Sequence, residues 1–230
     1  MNHQRFCAWS GIIFLVLFVA GWGFVAGFFP LPPGPLLTPE EVAAFFLGGA
    51  TRIRAGLIVA MTAAIFWVPF VAGISEQMSR IQGVDPVLVR TQSLGGTAGF
   101  CIFMMTIMVW LTATFRDDLD PKIIRLLNDF GWLTFLVTFA PFVAQLVALA
   151  LAILGDPSPE PVFPRWWAYF TIWAAISFVP AALVVYLKHG PFAWTGLVGF
   201  YLPLTLFVSW IGGTSWLSLQ AIAAREAAKR

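Results

Sequence analysis

Six apolar stretches, each long enough to cross a bilayer, occupy most of the chain. They run from Cys7 to Phe29, Ile53 to Ile74, Gly95 to Phe115, Phe130 to Leu154, Trp166 to Leu187 and Phe192 to Ile222. A hydrocarbon core of about 30 Å takes about 20 apolar residues of helix. The fold this predicts is all-α: one polytopic transmembrane bundle of six spans over residues 1–230. Charged residues are only 10% of the chain, against about 25% in water-soluble domains. That leaves no room for a second, soluble domain. A net charge of +2 without a lysine or arginine run excludes nucleic acid as a partner.

Cys7 and Cys101 both fall inside apolar spans and form no Cys-x-x-Cys pair, so neither a disulfide framework nor a cysteine metal site is expected. The first span is longer than the usual signal h-region of about 7–15 residues and holds Trp9 and Trp22. It reads as a retained helix. Lysine and arginine counts divide seven to six between the two sets of loops. The basic tail from Arg225 to Arg230 tips the orientation toward two cytoplasmic termini in a bacterial inner membrane.

The loop from Pro30 to Arg52 opens with Pro30, Pro32, Pro33 and Pro35, which no helix accommodates. Thr38-Pro39-Glu40-Glu41 then reads as a helix start, with a capping threonine, proline at the first helical position and carboxylates at the positive end. The short helix that follows is expected to lie in the interface, as a lid or as a cover for the helix ends. Two further loops are expected at Glu76 to Gln92 and at Arg116 to Asp129. The second mixes Asp117, Asp118, Asp120 and Asp129 with Arg116, Lys122 and Arg125, a salt-bridged pattern without calcium-loop spacing.

Ionisable residues deep in a span usually mark function. Here His3, His189, Lys122 and Lys188 are all peripheral, which argues against haem, di-iron, retinal and proton-coupled chemistry; no cofactor is expected. Glu76 and Arg80 read as an i, i+4 ion pair at a helix end. Interior polarity is limited to hydroxyls such as Thr106, Thr134, Thr138, Thr171, Ser177 and Thr214, and to one amide, Gln145, which should face a partner or a cavity.

The interior is instead rich in rings: 11 Trp and 23 Phe. Trp9, Trp110, Trp132, Trp166, Trp167, Trp194 and Trp216 lie near span ends and read as an interfacial belt. Trp22, Trp67, Trp173 and Trp210 lie deeper, and Trp166, Tyr169, Trp173, Ser177 and Pro180 recur at helical spacing on one face of the fifth span. Pro69, Pro141, Pro180 and Pro203 should kink four spans and open clefts. Phe66-Trp67-Val68-Pro69 and Ser177-Phe178-Val179-Pro180 are alike, as a three-plus-three inverted repeat requires. Cys101, Met105 and Met108 form a sulfur stripe that reads as packing material.

Val162-Phe163-Pro164-Arg165-Trp166 and Lys188-His189-Gly190-Pro191-Phe192-Ala193-Trp194-Thr195-Gly196 resemble a pattern in a family of uncharacterised bacterial integral membrane proteins. Arg52-Ile53-Arg54-Ala55-Gly56 and Ile74-Ser75-Glu76-Gln77-Met78 are similar to it too. The resemblance implies a polytopic fold and no particular chemistry.

The functional expectation is a non-enzymatic membrane protein that binds lipid-like or other hydrophobic molecules in aromatic-lined clefts. The ring placement and the buried amide single out Trp67, Gln145, Tyr169, Trp173, Tyr201 and Trp210. Gly95-Gly96, Gly99 and Gly212-Gly213 permit close helix contacts and suit a homo-oligomer or a larger membrane assembly. A facilitator of apolar solutes is the alternative, and a lipid-modifying enzyme the third reading.

Overall fold

The computed structural model describes residues 3–228. Helix α1 (His3–Phe18) widens into π turns over Val19–Val25, α2 spans Pro39–Gly48, α3 Ala50–Met78 and α4 Pro86–Phe115. Then come α5 (Pro121–Val137), α6 (Ala140–Leu154), α7 (Arg165–Phe178) with 3-10 turns over Pro180–Val185, and α8 (Leu202–Ala227), entered through π turns at Leu197–Tyr201. No strand occurs among the described residues. Six segments are long and apolar enough to cross a membrane, α5 and α6 forming a single crossing. The chain is therefore a multi-pass helical membrane bundle, as the apolar runs predict. Lys229 and Arg230, part of the tail used to orient it, lie outside the described residues. Arg5 pairs with Glu226 at 2.5 Å, so the beginning of α1 and the end of α8 share one face, here the terminal face. The connections on the other side form the distal face.

Helix starts follow local chemistry. At α2 the Glu41 N–H donates to Thr38 Oγ1 at 3.2 Å and the Thr38 N–H to Glu41 Oε2 at 2.7 Å, the reciprocal cap read from the sequence. Two loop expectations are corrected. α4 begins at Pro86, where Asp85 accepts from the Val87 N–H at 2.8 Å, so much of Glu76–Gln92 is helical. α5 begins at Pro121, where Asp120 accepts from the Lys122 N–H at 2.7 Å, so the loop after α4 is only residues 116–120. Both helices run past the apolar window, because in each an aspartate cap and a first-position proline start the helix ahead of the apolar run. Asp117 pairs with Arg54 at 3.5 Å, and Glu76 with Arg80 at 2.5 Å.

The core is built on rings. Phe14, Phe18 and Trp22 recur at four-residue spacing on α1, and Phe28 continues the column. Successive centroids lie 5.6, 5.3 and 5.7 Å apart with nearly parallel planes. α1 and α3 cross closely at Gly21 and Gly56, where a Cβ on Gly21 would stand 2.6 Å from the Gly56 carbonyl oxygen. The tryptophan belt is corrected as well. Trp9, Trp166 and Trp216 are exposed, but Trp110, Trp132, Trp167 and Trp194 are buried. At the distal end α2 and the proline-rich loop cover the bundle, so Trp110 and Trp132 pack against Trp22 and Phe28. That loop is strapped down. The Trp194 Nε1–H donates to the Pro33 carbonyl at 2.9 Å and the Tyr201 hydroxyl to the Pro30 carbonyl at 2.5 Å. α2 likewise turns Val42 and Phe46 into the bundle, so the segment is a fixed cover over the helix ends.

The prolines divide into two kinds. Pro69 sits inside the continuous helix α3. Pro141, Pro180 and Pro203 each stand within the first two residues of a helical segment that follows a break or a change of helix type. These three irregular places come together around one cavity.

Candidate functional site: an aromatic cavity at mid-depth

A cavity of about 110 Å³ lies between α4, the α5–α6 junction, the 3-10 end of α7 and the start of α8. Trp67, Phe100 and Thr138 on its wall stand near the middle of their spans, which places it at mid-depth. Ten of its eighteen lining residues are aromatic, and none is Asp, Glu, Lys, Arg or His. The site therefore has no charge to offer and a large area of ring surface. Thr134 and Thr138 are its only hydroxyl-bearing lining residues.

Trp67 sets the wall. Its Nε1–H donates to the Gly96 carbonyl at 3.0 Å, and its ring lies nearly parallel to Phe100 and Phe207, with centroids at 5.6 and 6.1 Å. Phe14 meets it edge-on at 4.9 Å. Phe142 is the hinge ring, 5.0 Å from Phe178, 5.3 Å from Phe207 and 5.5 Å from Trp210. At these separations the rings brace one another around the cavity.

The sequence-predicted residues separate. Trp67 lines the cavity. Trp210 is fully buried one ring behind it, against Phe142 and Phe70. Gln145 is also fully buried, one turn beyond Phe142, with neither amide atom hydrogen-bonded. It packs on α4 where Gly96 has no side chain: a Cβ there would stand 2.8 Å from Gln145 Nε2. Tyr201 straps the distal loop. Tyr169 and Trp173 are 63% and 52% exposed on the outer face of α7, away from the cavity. The sulfur stripe is also outward, with Cys101, Met105 and Met108 all exposed.

Phe100, Phe142, Phe178 and Phe207 were not singled out by sequence, although Phe178 occupies the same place in Ser-Phe-Val-Pro as Trp67 in Phe-Trp-Val-Pro. Both of those residues line the cavity. Pro141, three residues beyond Thr138, was the available signal for the α5–α6 break.

A second cleft, of about 260 Å³, runs between the π turns of α1 and α8, past Trp22, Gly23, Thr205 and Ser209. Leu204 borders both spaces. No group of three or more His, Cys, Asp or Glu able to hold a metal occurs among the described residues.

Comparison of the chain with protein-family models, with curated proteins and with solved structures gave no match. The functional reading therefore rests on the geometry alone.

Proposed function

We propose that this chain is a non-enzymatic protein of the bacterial inner membrane that holds a lipid-like or other hydrophobic molecule in the mid-depth cavity. The observation that carries the reading is the cavity wall: ten rings and no ionisable group, halfway through the bundle. Because the surrounding lipid is already apolar, burial alone gives such a ligand little; close packing and ring–ring contacts against this wall favour unsaturated or flat ligands. The reading includes two cytoplasmic termini, and association with further copies or with other membrane proteins. The glycine pairs do not supply that association surface. Gly95 and Gly96 receive Pro141 and Gln145 of the same chain, and Gly213 receives Trp167.

The experiment is gentle extraction followed by mass spectrometry of co-purifying small molecules, on the native protein and on a Phe207→Ala and Phe142→Ala double variant. A molecule enriched with the native chain and lost from the variant supports the proposal. An identical lipid profile in both defeats it.

A facilitator of apolar solutes is the second reading. The observation that favours it is the clustering of the α5–α6 break, the 3-10 turns and the π turns around the same cavity, since broken helices at a binding site are a feature of transporters. Uptake of a hydrophobic dye into liposomes, faster with protein than without, would select it.

A further inference from the structure

The crossing formed by α5 and α6 is interrupted near its middle, at Thr138 and Phe139. Among the described residues, no turn or helical bond bridges that point. The first bond of α6 runs from the Val143 N–H to the Phe139 carbonyl at 2.9 Å. The carbonyls of Phe135, Leu136, Val137 and Thr138 accept no backbone N–H, and the N–H groups of Phe139, Ala140 and Phe142 donate to no backbone carbonyl. Pro141 has no N–H to offer. The Thr138 hydroxyl turns back to the Thr134 carbonyl, which supplies one donor to the end of α5 and none to the other carbonyls. The Thr134 hydroxyl has no partner among the described residues and faces the cavity.

In hydrocarbon an unsatisfied backbone group costs several kcal/mol, and irregular backbone persists at this depth only where something else satisfies it. Phe135, Leu136, Thr138, Phe139 and Phe142, which carry most of these open groups, line the cavity. Gly99 faces this place without a side chain: a Cβ there would stand 3.6 Å from the Phe142 nitrogen, so that nitrogen is reached from the cavity side. The open groups are of both signs. The end of α5 presents acceptors at its negative pole, and the start of α6 presents donors at its positive pole.

From this we infer that the occupant of the cavity is a neutral lipid alcohol. Its hydroxyl bridges the gap between α5 and α6, accepting from an α6 N–H and donating to an α5 carbonyl, while its unsaturated tail lies among the rings. A ketone or an ether accepts only and leaves the α5 carbonyls open. A hydrocarbon satisfies neither end. A phosphate or ammonium headgroup would be buried against a wall that has no counter-charge, which is far costlier than leaving one dipole open. The inference rests on the reading of the cavity as a binding site given above, and narrows it to one chemical class.

The test uses the full chain in lipid nanodiscs and three radiolabelled probes of equal length: geranylgeraniol, its methyl ether and the corresponding hydrocarbon. Retention by immobilised protein is measured at equal free concentration. The alcohol is expected to be retained at least tenfold more tightly than either of the others. A Pro141→Ala substitution restores an N–H that can reach the Val137 carbonyl and close the break. In that variant the preference for the alcohol is expected to fall at least threefold while hydrocarbon retention is unchanged. Equal retention of all three probes overturns the assignment of a lipid alcohol and leaves the cavity a binding site. An ether bound as tightly as the alcohol overturns it too, because then no donor is needed. Full alcohol preference in Pro141→Ala shows that recognition lies elsewhere and overturns it. Retention of none of the three defeats both this inference and the functional reading beneath it. If Pro141→Ala does not fold, the three-probe comparison on the unaltered chain decides.

Discussion

Gln145→Met is the most informative single substitution outside the cavity wall. The Gln145 side chain is fully buried, and neither its amide oxygen nor its amide nitrogen has a hydrogen-bond partner. A buried amide without partners costs about 1–3 kcal/mol on mutational scales. Methionine matches glutamine in length and loses a similar amount of side-chain freedom on burial, so the entropy terms nearly cancel. It also leaves the contact with Gly96 filled. The denatured state of a membrane protein finds partners for an amide as well, which reduces the gain. The expected net effect is a stabilisation of about 0.5–2 kcal/mol. For a chain of this size that is a rise of about 1–8 °C in the unfolding midpoint. Intrinsic tryptophan fluorescence in detergent, scanned at one fixed rate because such unfolding is commonly irreversible, reads it directly. A fall in the midpoint would refute the reasoning, since it would mean that the amide holds a partner in the native protein. Loss of a co-purifying molecule from the same variant would identify that partner as the ligand and move the site one helical turn toward the terminal face.

Gly56→Ala drives a Cβ into the backbone of Ala26 and Gly21, so α1 and α3 must separate; a loss of about 1–3 kcal/mol in thermal or denaturant unfolding is expected. Gly48→Ala, where nothing lies within 4 Å of the new atom, should change stability by less than about 0.5 kcal/mol and serves as its control. Gly99→Ala meets only ordinary contacts and gains helix propensity of about 0.5–1 kcal/mol, yet it covers the Phe142 nitrogen; ligand retention should fall at least threefold while the unfolding midpoint holds or rises. Trp194→Phe removes the bond to the Pro33 carbonyl, which is worth about 1 kcal/mol, and should speed protease cleavage within residues 30–38 without altering cavity binding.

How much of this was written in the sequence depends on which solvent does the sorting. Water sorts the spans from the loops, so the six crossings and the Thr38-Pro39-Glu40-Glu41 start were legible. Inside the membrane, lipid is as apolar as a protein core, and hydrophobicity no longer separates an inward face from an outward one. On α7 the spacing puts Trp166, Tyr169, Trp173 and Ser177 on one face, yet the three rings point outward while Ser177 is buried. Residue size carries part of the missing information: Ala168, Thr171, Ala174, Ala175 and Ser177 turn into the bundle, and the one large inward ring, Trp167, is received by Gly213. The break before Pro141 is a similar case. Pro69 looks alike in sequence and stays inside a continuous helix. The difference lies in what precedes each proline. Ile65-Phe66-Trp67-Val68 offers the backbone no competing partner, whereas the Thr138 hydroxyl takes the Thr134 carbonyl. Threonine back-bonding alone leaves α3 and α4 continuous, as at Thr62, Thr97 and Thr112, and a proline alone leaves α3 continuous at Pro69; at Thr138 and Pro141 the two weaken the same turn, and there the helix ends. On this argument Thr138→Val should lengthen α5 toward Pro141, turning the break into a kink of the kind that α3 tolerates at Pro69 and withdrawing the open carbonyls from the cavity.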